Sequence, residues 1–204
     1  MRIEWENIAS IYAKKRWYGK GLFPHEKKML NEISNFANSI IDVGCGAGRH
    51  VRFLKQKNFF VIGLDFSLNM IKEAKKMCNA FYILGDARAL PFKDSTVDCC
   101  ICLGNTIASV GENKNNLLFG ASLAIDEMLR VSKRIVVIDF REGRKKYEKR
   151  FIEGMPYTTR SWSITTVMKL FRRSKYRKKI REIKIIRNVK VGENKFFCVI
   201  CFLK

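Results

Sequence analysis

The chain has 204 residues, 40 Lys and Arg against 19 Asp and Glu, and a net charge of +21. That length suits one domain with a full core and leaves too little for a second. No run of eighteen or more apolar residues occurs, so no transmembrane helix is expected. Met1-Arg-Ile-Glu-Trp-Glu6 lacks the apolar stretch of a signal peptide.

Taken in order, residues 3–18 and 24–37 read as helices, with Pro24 suited to a first helical position. Strand one is 39–43, followed by a helix near 48–57. Strand two is 59–64, and a helix at 67–79 follows with Ser67 as its N-cap. Strands three and four are 80–84 and 97–103. A helix near 115–131 leads into a fifth strand at 134–139. A basic, irregular stretch covers 141–157, with a helix near 161–172. Two strands at 181–190 and 195–203 flank Val191-Gly-Glu-Asn194 and form an antiparallel hairpin. Alternating strands and helices imply an α/β fold with a largely parallel sheet, and an antiparallel element at its end. The chain divides into an N-terminal helical cap (1–38), a ligand-binding core (39–140), and a basic segment with helix and hairpin (141–204).

Seven cysteines sit inside apolar runs, as buried reduced thiols do in a cytoplasmic protein. Cys198 and Cys201 have CxxC spacing but lie on a strand, where residues i and i+3 face opposite sides. With only His25 and His50 besides, no zinc site or other metal centre is expected. The charge is uneven. Residues 1–140 carry 20 Lys and Arg against 14 Asp and Glu, and residues 141–204 carry 20 against 5. This is either a solubilising surface on a Lys- and Ile-rich chain of thermophile-like composition or a footprint for a polyanion such as RNA.

Four segments carry the chemistry. In Ser39-Ile-Ile-Asp-Val-Gly-Cys-Gly-Ala-Gly-Arg49, a strand meets a glycine turn and then a helix, a site for a nucleotide-like ligand. A nicotinamide-dinucleotide fingerprint would place Gly or Ala at position 49, where Arg stands. Asp42 would repel a phosphate and attract a ligand ammonium. Asp65 closes Val61-Ile-Gly-Leu-Asp65, placed to accept from ribose hydroxyls. Asp86, in Ile83-Leu-Gly-Asp86-Ala-Arg-Ala-Leu-Pro91-Phe92, could accept from an exocyclic amine. Val97-Asp-Cys-Cys-Ile-Cys-Leu-Gly104-Asn105-Thr106 delivers Gly104 and Asn105 to the sheet edge where such ligands bind.

In this order and spacing the four segments resemble the class I S-adenosylmethionine-dependent methyltransferases, of the type 11 and type 25 kind, over roughly residues 36–140. The resemblance implies a Rossmann-like seven-stranded sheet of order 3-2-1-4-5-7-6, strand 7 antiparallel, flanked by helices. It implies S-adenosylmethionine as cofactor and S-adenosylhomocysteine as product. Gly44, Cys45, Gly46 and Gly48 would line the methionine and ribose portion, and Asp42 would lie near the ammonium. Asp65 would bind the ribose, with Phe66 and Met70 beside the adenine and Ser67 in the same segment. Asp86 and Ala87 would meet the adenine edge, and Leu103 would offer its carbonyl. One departure is Leu129-Arg-Val-Ser-Lys-Arg134, where many relatives carry a Pro-Gly-Gly turn.

The sulfonium makes the methyl electrophilic, so the protein needs mainly to align a nucleophile and exclude water. Positioning candidates are Asn105, Thr106 and Ser109 after strand four, and Tyr12, Arg16, Trp17 and Tyr18 in an N-terminal segment able to close over the site. Trp5 and Ile8 read as packing residues. Tyr157 and Trp162, among Arg144, Lys145, Lys146, Arg150 and Arg160, could stack on a base or an apolar substrate, or cover the sheet. The acceptor reads as a small molecule or RNA, with tRNA contact through Lys169–Lys179. A non-catalytic RNA-binding or scaffolding module of the same fold is the alternative. A dinucleotide oxidoreductase is disfavoured by Arg49 and Asp42.

Overall fold

The computed structural model describes residues 2–16, 21–111, 116–144 and 147–204. Trp17, Tyr18, Lys145, Lys146 and the side chain of Arg16 lie outside that description. Nine strands and six helices are described: α1 (Arg2–Arg16), α2 (Pro24–Ile33), β1 (Ser39–Val43), α3 (Arg49–Gln56), β2 (Phe60–Asp65), α4 (Leu68–Met77), β3 (Phe81–Leu84), β4 (Val97–Cys102), α5 (Leu117–Val131), β5 (Ser132–Arg141), β6 (Glu148–Ile152), β7 (Met155–Thr159), α6 (Ile164–Arg173), β8 (Ile180–Val191) and β9 (Asn194–Leu203).

Seven strands form one sheet of order β3-β2-β1-β4-β5-β9-β8. β1 to β5 run parallel, and β9 runs antiparallel to both β5 and β8. Counting only this sheet's strands, the order is the expected 3-2-1-4-5-7-6. The β8–β9 connection is the two residues Gly192-Glu193, with Gly192 at φ 57°. The stretch 141–157, expected to be irregular, instead holds a separate two-stranded hairpin, β6–β7. Its two-residue turn, Glu153-Gly154, has both residues at positive φ, the geometry whose twist matches the flanking strands.

β4 and the middle of β5 are apolar without alternation because helices cover both faces. On one face, Ile41, Cys100 and Val136 pack with α5 and α6; on the other, Ile40, Cys99 and Val137 pack with α2 and α3. Cys201 falls on the first face and Cys198 on the second, so the CxxC spacing does not bring the thiols together. All seven cysteines are free. Burial raises the thiol pKa of Cys100 and of Cys201 to about 12. No described helix is long and apolar enough to cross a membrane.

Gly120 lies inside α5, where glycine normally weakens a helix by about 0.5–1 kcal/mol relative to Ala. A Cβ there would stand 2.1 Å from the Val110 carbonyl oxygen. Backbone cannot swing aside as a side chain can, so the usual sign reverses. Gly120→Ala should destabilise the fold by about 1–3 kcal/mol, measured as a lower denaturant midpoint at unchanged slope. A stabilised variant would refute this packing account.

Candidate functional site

The cavity opens at the carboxyl ends of β1, β2 and β4, the edge where open α/β sheets hold ligands. Its floor is the glycine turn. Gly44 and Cys45 both donate their N–H groups to the Leu64 carbonyl, at 2.7 and 2.9 Å. Gly46 has φ 52° and nothing near its missing Cβ, so its backbone faces open space. Its N–H donates to Asp65 Oδ2 at 2.8 Å, and Ser67 N–H donates to Asp65 Oδ1 at 2.9 Å. Gly48 serves packing instead: a Cβ there would lie 2.8 Å from the Tyr82 hydroxyl and 3.0 Å from Ala74 Cβ.

Burial raises the Asp65 carboxyl pKa to about 6; the two N–H groups counteract this, while Asp42 and Glu6 add to it. Asp42, at the end of β1, is 1% exposed, and neither carboxylate oxygen has a hydrogen-bond partner among the described residues. His50 Nδ1 approaches Asp42 Oδ2 at 3.6 Å. With the imidazole beside it but beyond hydrogen-bond distance, Asp42 is a buried carboxylate whose accepting capacity is not filled.

Asp139, fully buried at the end of β5, fixes the loop after β4. It accepts from Gly104 N–H at 2.9 Å and Asn105 N–H at 2.6 Å. Those two residues have φ 77° and 59°. The Asn105 carboxamide is engaged on both sides. Its oxygen accepts from Arg141 N–H at 3.0 Å, and its nitrogen donates to Thr159 Oγ1 and the Arg160 carbonyl, both at 3.3 Å. Asn105 thus ties β4 to β5 and β7.

The roof is α1. Glu6 caps α4, accepting from Leu68 and Asn69 N–H at 2.8 and 3.0 Å and from the Ser67 hydroxyl at 3.1 Å. Glu4 accepts from Thr158 N–H at 2.9 Å and its hydroxyl at 3.1 Å, on β7. Between those anchors Trp5 meets Tyr12 edge-on at 5.3 Å and Tyr157 at 5.1 Å, measured between ring centres. Trp5 was expected only to pack; it lines the cavity, while Ile8 is buried as expected.

Of the sequence candidates, Gly44, Gly46, Asp65, Phe66, Met70, Ala87, Asn105, Thr106, Ser109 and Tyr12 share this cavity wall. Asp42, Cys45, Gly48, Ser67 and Leu103 stand behind it. The Leu103 carbonyl accepts from Thr106 Oγ1 at 2.9 Å, and Ser67 Oγ accepts from Met70 N–H at 3.1 Å. Asp86 forms an ion pair with Arg88 at 2.7 Å and is off the wall. Tyr157 lines the cavity, whereas Trp162 is fully buried in the core, under Arg160 at 4.2 Å. Sequence reasoning missed Glu4, Glu6, Asp139, Arg141 and Thr159. Only Asp139 carried a signal, as an acid ending a buried strand.

Beneath the turn lies a buried cluster. Glu26 on α2 pairs with Arg49 through both carboxylate oxygens and with His50 at 3.2 Å. His25, Glu26 and Asp139 bring donor atoms within 4.8 Å of one another, but Arg49 and the 104–105 backbone already engage both acids.

Comparison with known proteins places this geometry. A family model described as a methyltransferase domain matches residues 40–134. The malonyl acyl-carrier-protein O-methyltransferase of Hamiltonella defensa is 42% identical over 62 residues, covering 30% of this chain and 24% of that protein. The chain spans 24–40% of the length of the curated relatives it matches first. Among solved structures, a SAM-dependent methyltransferase of Methanosarcina mazei superposes with a TM-score of 0.69 at 17% identity, covering 91% of this chain and 99% of that one. The SAM-bound amino pentose methyltransferase of Micromonospora echinaspora gives 0.69 at 15%, covering 96% and 97%. At such identity the likeness is one of fold.

Proposed function

We propose that this chain, whose residues 40–134 match a methyltransferase domain, is a class I S-adenosylmethionine-dependent methyltransferase and that it methylates a small molecule. The observation that carries this reading is the roof: α1, anchored by Glu6 and Glu4, closes the cavity with Trp5, Tyr12 and Tyr157. A base within a structured RNA has no route through such a cover without displacing it. The polyanion candidate, Lys169–Lys179, also lies at the wrong end of the sheet. Lys179 Nζ donates to the Ser132 carbonyl at the start of β5, while Arg141 at its other end lines the cavity. Ten strand residues span about 30 Å.

The wall suits the family's cofactor. Asp65 on the wall would receive the ribose hydroxyls, and Asp42, buried behind the wall beside His50, would supply the negative charge that draws the ammonium. Phe66, Met70 and Ala87 would pack the adenine, with the Gly46 backbone admitting close approach. Cys45, Gly48, Ser67 and Leu103 shape the turn behind them, and Asp86 holds the adenine-side loop through Arg88. When bound, S-adenosylmethionine supplies an electrophilic methyl group. The chain's own task is to orient the acceptor and keep water out. Tyr12 would face the acceptor; Asn105 is a positioning residue, acting through Arg141 and Thr159.

Two measurements test this. Calorimetry should show S-adenosylhomocysteine binding and no NAD binding; the reverse would overturn the cofactor assignment. Methyl-tritiated S-adenosylmethionine, supplied with a metabolite extract or total tRNA, should label a low-mass product. Label in tRNA would reverse the acceptor class, and none in either fraction would leave a binding module without turnover.

A further inference from the structure

Resting on that reading, we propose that the acceptor is a carboxylate-bearing molecule with an apolar, planar body, its carboxylate received by Arg141 and Arg150. Both arginines line the cavity. Both pair with the same acid, Glu148, at 2.8 and 2.9 Å, so these three described side chains together carry one positive charge in excess. Arg150 also donates to Asn194 Oδ1 at 3.0 Å, and Arg141 donates to the Arg160 carbonyl at 3.4 Å. Arg141 is 6% exposed, and its Nε has no hydrogen-bond partner among the described residues. Burial first, then Arg150, holds its pKa below the usual arginine range, against the opposing pull of Glu148.

A second unpartnered donor belongs to a residue of the same wall. Trp5 Nε1 is buried and also lacks a partner among the described residues. Both are donors, so an acceptor oxygen satisfies them and a protonated amine, which has no lone pair, does not. One surplus charge matches a carboxylate; a phosphate dianion would ask for two. Trp5, Tyr12 and Tyr157 supply the faces against which a flat apolar body packs.

The cofactor's own carboxylate shares this chemistry, but the sheet separates the two. The carboxylate that would draw the cofactor's ammonium is Asp42 on β1. Arg141 ends β5, two strands along, or about 10 Å at ordinary strand spacing. In an α-amino acid the ammonium and carboxylate sit on one carbon.

The test titrates S-adenosylhomocysteine-loaded protein with benzoate, 4-aminobenzoate and indole-3-acetate, each against its primary amide. At least one acid should bind about tenfold or more tightly than its amide, as one charge-assisted contact gives. Arg150→Gln, at a side chain about one-third exposed, should bring acid and amide to parity while leaving S-adenosylhomocysteine affinity within about twofold and the melting temperature unchanged. Amides binding as well as acids throughout, or no acid binding to the loaded protein, would overturn the proposal. So would an Arg150→Gln variant that loses S-adenosylhomocysteine affinity in parallel, which would assign the arginines to the cofactor. Failure of S-adenosylhomocysteine to bind the unaltered protein is a different result, and it strikes the methyltransferase reading itself.

Discussion

Replacing Glu26 with Gln is expected to cost about 3–5 kcal/mol, because it removes one side of a buried charge cluster and strands the other. For a domain of this size that corresponds to roughly 6–20 °C in Tm. Glu26 has no exposed surface; Arg49 and His50 are nearly as buried. Burial alone would raise the Glu26 carboxyl pKa, but His50 and Arg49 prevail and hold it well below the usual carboxylate range. For His50, burial and Arg49 oppose the charge, while Glu26 and Asp42 outweigh them and raise its pKa to about 9. A raised histidine stabilises the fold fully below its unfolded value of about 6.5, and that contribution is lost as pH rises through about 9. A depressed glutamate contributes above about 4.5 and loses its effect as pH falls. The cluster therefore supports the fold best between about pH 4.5 and 6.5 and weakens on the alkaline side. Urea unfolding across pH 6–10 should show that alkaline loss in the parent protein and a much flatter profile in Glu26→Gln. The double replacement Glu26→Leu with Arg49→Met should recover much of the stability, since apolar pairs often replace buried ion pairs without loss. A Glu26→Gln variant within about 1 kcal/mol of the parent would show that the cluster is not what docks α2 on the turn.

That cluster also marks where sequence reasoning stops. Arg49 was legible as an exception, a residue that a pyrophosphate fingerprint would not place there. Its partner lies 23 positions upstream, on a helix whose docking no local pattern encodes. The strands β1 to β4 were legible because each is a short, mainly apolar run that ends at or within two residues of a Gly or Asp. Cys198 and Cys201 fall on opposite faces because a strand's side chains alternate, a rule that needs no tertiary information. The β6–β7 hairpin was hidden by its charge: Glu148-Lys-Arg-Phe-Ile152 reads as a basic loop until Glu153-Gly154 is recognised as a two-residue turn. Glu4 and Glu6 read as ordinary acids on a helix. They cap α4 and β7 only because α1 lies across the cavity, a placement set by packing over 61 and 154 residues of separation. Asp65, by contrast, was legible because it closes β2 at the sheet's ligand edge, whereas Asp42, one residue short of the end of β1, lies buried behind the wall.

Asp65→Asn is the substitution expected to affect cofactor binding most. It removes the charge that would receive two ribose hydroxyls, and charge-assisted hydrogen bonds are worth about 1.5–3 kcal/mol each. One such loss raises the S-adenosylhomocysteine Kd about 10- to 150-fold. The amide also turns an N–H₂ group toward either Gly46 N–H or Ser67 N–H, both donors that the carboxylate now accepts. Proton linkage gives an independent readout. With its folded pKa raised to about 6 from 3.8, Asp65 favours the unliganded fold at low pH; that contribution is complete below 3.8 and lost as pH rises through 6. Ligand binding runs the other way, because hydroxyl donors favour the ionised carboxylate. Binding near pH 6 should therefore release a proton, and affinity should fall as the solution is acidified below that point. Calorimetry in two buffers of different ionisation enthalpy would detect the released proton, and Asp65→Asn should lose both the release and the slope. An unchanged slope in the variant would move the titrating group away from Asp65. Affinity that tightens on acidification would remove the ionised carboxylate from the ribose altogether.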